Sequence, residues 1–172
     1  LTARLLDESG VDAILVGDTL GMVFQGQETT LPVTVDEVVY HTRAVCRGVS
    51  RAMVIADLPF MSYQTSVEEA LHNSGRMLKE GGATAVKLEG GSNVVPVVSA
   101  LSQAGIPVMG HVGLAPQSCR AIGGHKVQGK TVEAIDQLIE DAEAVEDAGA
   151  FSIVIEAVPW PVAREITRSV SI

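Results

Sequence analysis

Five short aliphatic runs, each ending on an ionisable residue, constrain this chain more than any other feature. AILVG leads to Asp18, AMVIA to Asp57, TAVKL to Glu89, PVMG to His111 and FSIVI to Glu156. The landings are separated by 39, 32, 22 and 45 positions, and most of each gap reads as loop plus amphipathic helix. Strands that alternate with helices imply a parallel sheet. Strands buried on both faces of such a sheet read as continuous aliphatic runs, as these do. In a parallel α/β protein all strand C-termini open on one face, and that face carries the chemistry. Three carboxylates, a lysine two residues before one of them, and a histidine are therefore expected to share one mouth.

The 172 residues suit one compact domain, expected over 1–172. Hydrophobic content of 47% against 19% charged residues excludes a disordered chain. A net charge of −9 argues against a nucleic-acid surface, because phosphate binding needs a basic patch. No apolar stretch is long enough to span a membrane. Cys46 and Cys119 belong to no CxxC pattern and read as free thiols in a reducing cytoplasm. The chain opens without Met inside what reads as the last turns of a helix. A (βα)8 barrel typically needs about 250 residues and eight strands, so the expectation is a partial one.

Local signals place the elements. A helix remnant over 1–9 ends at Gly10, and a strand over 13–16 feeds the loop 17–33. Thr34 with Glu37 forms a capping box for a helix whose apolar face includes Val35, Val38, Val39, Thr42 and Val45. A strand over 52–56 precedes Asp57. Ser66 with Glu69 forms a second capping box, opening a helix that ends at Gly81-Gly82. Strands at 84–89, 106–110 and 151–155 follow, separated by a helix reaching Gly105, a glycine-bearing loop over 111–130, and a helix over 131–148. The acidic residues of that last helix, Asp141 among them, read as a solvated face. Pro159-Trp160-Pro161 sets up a final helix.

Side chains alternate along a strand, so Lys87 and Glu89 point to the same side. A buried ammonium needs a counter-charge or an anionic substrate, because leaving it unpaired is very costly. Asp18, Asp57 and Glu89 close three successive strands and are candidate ligands for a hard divalent cation such as Mg2+, which takes oxygen donors. Glu156 stands apart from those three as a candidate general base or acid. His111 is open to three roles: ligand, oxyanion donor or loop hydrogen-bonder. His125 lies in the glycine loop, which suits a lid. No GxGxxG or P-loop pattern supports nucleotide binding.

The blocks VGDTLGMVFQGQETTLPVTVDEVVYHT, ADLPFM, VKLEGG, GHVGLAPQS and GGHKVQGK, in that order, resemble the ketopantoate hydroxymethyltransferase family over essentially the whole chain. The resemblance implies a (βα)8 barrel of the phosphoenolpyruvate/pyruvate-binding type, here with its second to sixth strands, and a homo-oligomer, commonly a decamer. It implies transfer of a hydroxymethyl group from 5,10-methylenetetrahydrofolate to the keto acid 3-methyl-2-oxobutanoate, with Mg2+. It further implies that Asp18, Asp57 and Glu89 serve the metal, Glu89 through water. Asp18, Thr19, Asp57, Lys87 and His111 would contact the substrate, and Glu156 would accept the proton. Two other readings compete. A lyase or mutase of the phosphoenolpyruvate/isocitrate lyase superfamily would share the enolate chemistry, although the KKCGH motif usual in its isocitrate-lyase-like members is absent. A non-catalytic barrel module would be expected to lose one or more of these residues, and all five of Asp18, Asp57, Lys87, Glu89 and Glu156 are present.

Overall fold

A computed structural model describes residues 1–172, which divide into two compact units, Leu1–Lys87 and Leu88–Ile172. The first holds α1 (Thr2–Glu8), β1 (Ala13–Val16), α2 (Leu20–Val23), α3 (Val35–Cys46), β2 (Met53–Asp57), α4 (Val67–Lys79) and β3 (Ala85–Lys87). The second holds α5 (Val95–Gln103), β4 (Val108–Gly113), α6 (Cys119–Ile122), α7 (Val132–Asp147), β5 (Ser152–Glu156) and α8 (Trp160–Ser169). Short 3-10 turns at Ser92–Val94 and Pro116–Ser118 precede α5 and α6.

In the first unit, β1 pairs with β2 and β2 with β3, all parallel, and the register sets Asp57 opposite Lys87. Ile55, Ala56 and Val86 are sealed from water, as are Val38 of α3 and Met77 of α4. Each fully buried side chain of the larger kinds contributes roughly 1.5–3 kcal/mol of hydrophobic stabilisation. The capping box at Thr34 is complete. The Glu37 N–H donates to Thr34 Oγ1 at 3.3 Å, and the Thr34 N–H donates to Glu37 Oε2 at 2.7 Å. The second box forms only by half. Ser66 Oγ accepts the Glu69 N–H at 3.1 Å, but the Glu69 carboxylate takes the Thr65 hydroxyl instead of the Ser66 N–H. The loop 17–33 also contains a turn of helix, α2, which its glycines conceal in the sequence.

Asp7 is a finding that no strand-end argument anticipates. It sits in the last turn of α1, where a helix dipole disfavours negative charge. Its carboxylate is held by donors from the segment before β2. These are the Ser50 N–H at 2.9 Å, Ser50 Oγ at 3.0 Å, the Arg51 N–H at 3.2 Å and the Ala52 N–H at 2.7 Å.

In the second unit, β4 pairs in parallel with β5 from Met109↔Ser152 to Gly113↔Glu156. Helices α7 and α8 close a core of Val112, Leu138, Ala142, Val162, Ile166 and Val170. Two expectations are revised here. β4 runs to Gly113, past the residue 110 that the sequence pattern suggested, so His111 lies inside the strand. Backbone pairing with β5 overrides the turn-like reading of GHVG. Asp141 is also no part of a solvated face. Its Oδ1 accepts both the N–H and the hydroxyl of Ser92 at 2.8 Å. Gly91 makes room for that contact, since a Cβ there would fall 2.0 Å from the Asp141 carboxyl carbon.

Candidate active site

The first unit builds a compact charged cluster at the C-terminal ends of its strands. Asp18 directly follows Gly17 after β1, Asp57 is the last residue of β2, and Lys87 is the last of β3. All three are buried, with Asp57 only 2% and Lys87 4% exposed. Lys87 Nζ straddles the Asp57 carboxylate, 3.0 Å from Oδ1 and 3.1 Å from Oδ2. The Asp18 backbone N–H donates to Asp57 Oδ2 at 3.2 Å. The register that sets Asp57 opposite Lys87 is what brings this pair together, and it satisfies the demand of a buried ammonium for a counter-charge. Thr19, next to Asp18, is exposed at the start of α2.

Burial pushes the Asp57 carboxyl up to about 7, the Lys87 ammonium opposes that rise, and the negative Asp18 adds to it. Two buried carboxylates beside one ammonium offer oxygen donors of the kind a hard cation takes. No group of three or more His, Cys, Asp or Glu residues is arranged as a metal cage.

The second unit holds the remaining candidates. Glu89 is buried and accepts the Gln117 N–H on Oε2 at 3.1 Å. His111 is 2% exposed, and its Nε2 lies 2.9 Å from the Leu114 carbonyl oxygen and 3.3 Å from Glu156 Oε2. Glu156 ends β5 with its side chain 39% exposed, so this carboxylate reaches solvent while the histidine beneath it does not. Ala157, the next residue, takes a left-handed backbone (φ 49°), and its carbonyl accepts the Gln128 N–H at 2.9 Å from the glycine-bearing loop. Strand-end reasoning missed Gln117 and Leu114. Both act through backbone groups, which leave no mark in side-chain chemistry.

All of residues 1–172 match the family model described as ketopantoate hydroxymethyltransferase. The chain belongs to the ketopantoate hydroxymethyltransferase family. A 3-methyl-2-oxobutanoate hydroxymethyltransferase of Clostridium botulinum (strain Alaska E43 / Type E3) is 58% identical over 170 residues, covering 99% of this chain and 62% of that protein. Its namesakes in Clostridioides difficile (strain 630) and Syntrophus aciditrophicus (strain SB) are 56% and 58% identical at the same coverage. The chain thus spans 62% of the length of these relatives.

Among solved structures, phosphonopyruvate hydrolase matches with a TM-score of 0.67 at 16% identity, over 90% of this chain and 54% of that one. A candidate lyase/mutase from Burkholderia cenocepacia J2315 gives a TM-score of 0.70 at 18% identity, over 98% of this chain and 60% of that one. These likenesses show the fold. It is α/β, with the parallel strand–helix repeats of a (βα)8 barrel, five strands of which are present in this ketopantoate hydroxymethyltransferase-family chain. No helix is long and apolar enough to cross a membrane.

Proposed function

We propose that the protein transfers a hydroxymethyl group from 5,10-methylenetetrahydrofolate to 3-methyl-2-oxobutanoate, giving ketopantoate for pantothenate and coenzyme A biosynthesis. The observation that carries this reading is the buried Asp18–Asp57–Lys87 cluster in a chain of this family. It supplies two carboxylates for a hard cation and a lysine ammonium for an anionic substrate.

Asp18 and Asp57 would hold Mg2+, with Glu89 as the further acid serving the ion. When bound, the ion supplies Lewis-acid polarisation of the keto acid. Lys87 offsets negative charge on the substrate carboxylate and on the enolate, an electrostatic role that a preorganised, buried ammonium fills without reorganisation. The Thr19 hydroxyl belongs to the substrate side of the machinery, and His111 stands beside the proton acceptor. Glu156 accepts the proton from C3 of the keto acid, and its partial exposure lets it return that proton to solvent. The enolate carbon then bonds to the one-carbon unit presented as the folate iminium. Water provides the new hydroxyl, and tetrahydrofolate leaves. The 111–130 loop is the candidate folate contact. We assign the protein to the cytoplasm, as one barrel domain working in a homo-oligomer of the decameric kind.

The decisive assay is tetrahydrofolate-dependent ketopantoate formation by the full-length protein, with and without Mg2+. Formation that needs both Mg2+ and the folate supports the proposal. A protein that binds the keto acid and forms no ketopantoate under either condition rejects it. The rival lyase or mutase reading rests on fold likeness alone, and at 16–18% identity such likeness carries no chemistry.

A further inference from the structure

In the second unit two hydrogen bonds and one close approach link Glu156, Leu114 and His111. The Leu114 N–H donates to the Glu156 backbone carbonyl at 2.9 Å. The Leu114 carbonyl lies 2.9 Å from His111 Nε2, and the same ring nitrogen lies 3.3 Å from Glu156 Oε2. A carbonyl can only accept, so Nε2 must carry the hydrogen. His111 therefore gives its Nε2–H to the Leu114 carbonyl, and this fixes the same edge of the ring against the Glu156 carboxylate, while burial of the ring at 2% exposure leaves little freedom to turn away.

Gly113 makes this arrangement possible. It has a φ of +94°, and a Cβ there would fall 2.2 Å from the Glu156 carbonyl oxygen, nearer than any real side chain sits. Only glycine lets β4 turn against β5 closely enough for Leu114 to bond the Glu156 carbonyl through its N–H and His111 through its own carbonyl.

From this geometry we infer that His111 is a positioning residue for Glu156, with Gly113 and Leu114 setting its aim. Resting on the reading of Glu156 as proton acceptor, the inference moves His111 from touching substrate to acting through the carboxylate. A base held in a near-attack position is worth far more than the same base free to rotate, and a misplacement of about 1 Å can cost roughly 10²-fold.

The test uses the full-length protein with Mg2+ and 3-methyl-2-oxobutanoate. C3-proton exchange with D2O is followed by NMR, and keto-acid affinity by calorimetry. His111→Leu is expected to slow exchange about 10²-fold while affinity and melting temperature hold. His111→Gln returns an N–H donor and is expected to recover most of that loss. A purely structural histidine would not show this split between exchange and affinity, nor rescue by glutamine. Gly113→Ala is expected to slow exchange in the same way. The proposal is overturned if His111→Leu exchanges at the parental rate, if glutamine does no better than leucine, or if His111→Leu loses keto-acid affinity. Absence of exchange in the parent protein would bring down the functional reading itself, and this inference with it. That control separates the two failures.

Discussion

The first unit buries three aspartates, and two of them, Asp7 and Asp57, are treated oppositely. Asp7, at the end of α1, is surrounded by donors, three backbone N–H groups and one hydroxyl, and its pKa falls to about 2. The largest causes are the backbone bonds from Ala52 and Ser50. Asp57, at the end of β2, shares one ammonium with a neighbouring carboxylate, and burial pushes it up to about 7. The difference lies in what surrounds each carboxylate: donors dominate around Asp7 and lower its pKa, whereas desolvation dominates around Asp57 and raises it against the pull of Lys87.

Mutation can break this contrast, and the largest effect belongs to the site. Asp57→Ala is expected to cut ketopantoate formation by at least about 10²-fold, on the scale seen when preorganised charge is removed from an active site. Keto-acid binding should lose its Mg2+ dependence in the same variant. An unaltered Mg2+ titration would reject Asp57 as a ligand.

Lys87→Met comes next. It removes the ammonium paired with Asp57 and should cost about 3–5 kcal/mol in chelator-treated protein, the range for breaking a buried pair. The sign with pH follows from the raised carboxyl. Folded Asp57 holds its proton to higher pH than the unfolded chain does, so its contribution makes stability fall as pH rises from about 4 to about 7 and level off above that. Urea denaturation across that range should show the variant's deficit growing with pH. A deficit independent of pH would mean that the Asp57 carboxyl is not raised.

Asp7→Asn should leave catalysis alone and act on stability, with the opposite pH sense. The lowered pKa means that Asp7 contributes fully above about pH 4 and loses its contribution as pH falls toward 2. Thermal melts between pH 2 and 6 should show a shallower acid limb in the variant. An unchanged acid limb would deny Asp7 its anchoring role.

The smallest effect is expected at Thr34, where an exposed carboxylate is saturated in the manner of Asp7. Glu37 accepts from the Thr34 N–H, Thr34 Oγ1 and Gln25, and its pKa is lowered chiefly by the Thr34 backbone bond. Thr34→Ala should cost about 1 kcal/mol by chemical denaturation, the usual worth of a cap. A loss as large as that of Lys87→Met would show that exposure does not weaken such networks.

How much of this was legible beforehand depends on where the information lies. The aliphatic runs announce their strands because burial on both faces demands them, and the complete box at Thr34 was readable because its partners are three residues apart. The half-made box at Ser66 was not, because a neighbouring hydroxyl at Thr65 competes for Glu69. The extent of β4 was misjudged for a similar reason, since glycines at 110 and 113 look like a turn until β5 is paired beside them. Asp7 left one faint signal, an acid in the last turn of a helix, where the dipole asks for a compensating set of donors.

By itself the sequence determined the alternation of strands and helices and the ionisable residues near each strand's C-terminal end, because hydrophobic period and local capping act within a few residues. Tertiary structure alone decided that β3 closes on Lys87 and β4 on Gly113, that Asp57 faces Lys87, and that His111 lies against Glu156. Those outcomes depend on which strands pair and in what register, and on backbone donors that side-chain chemistry does not reveal.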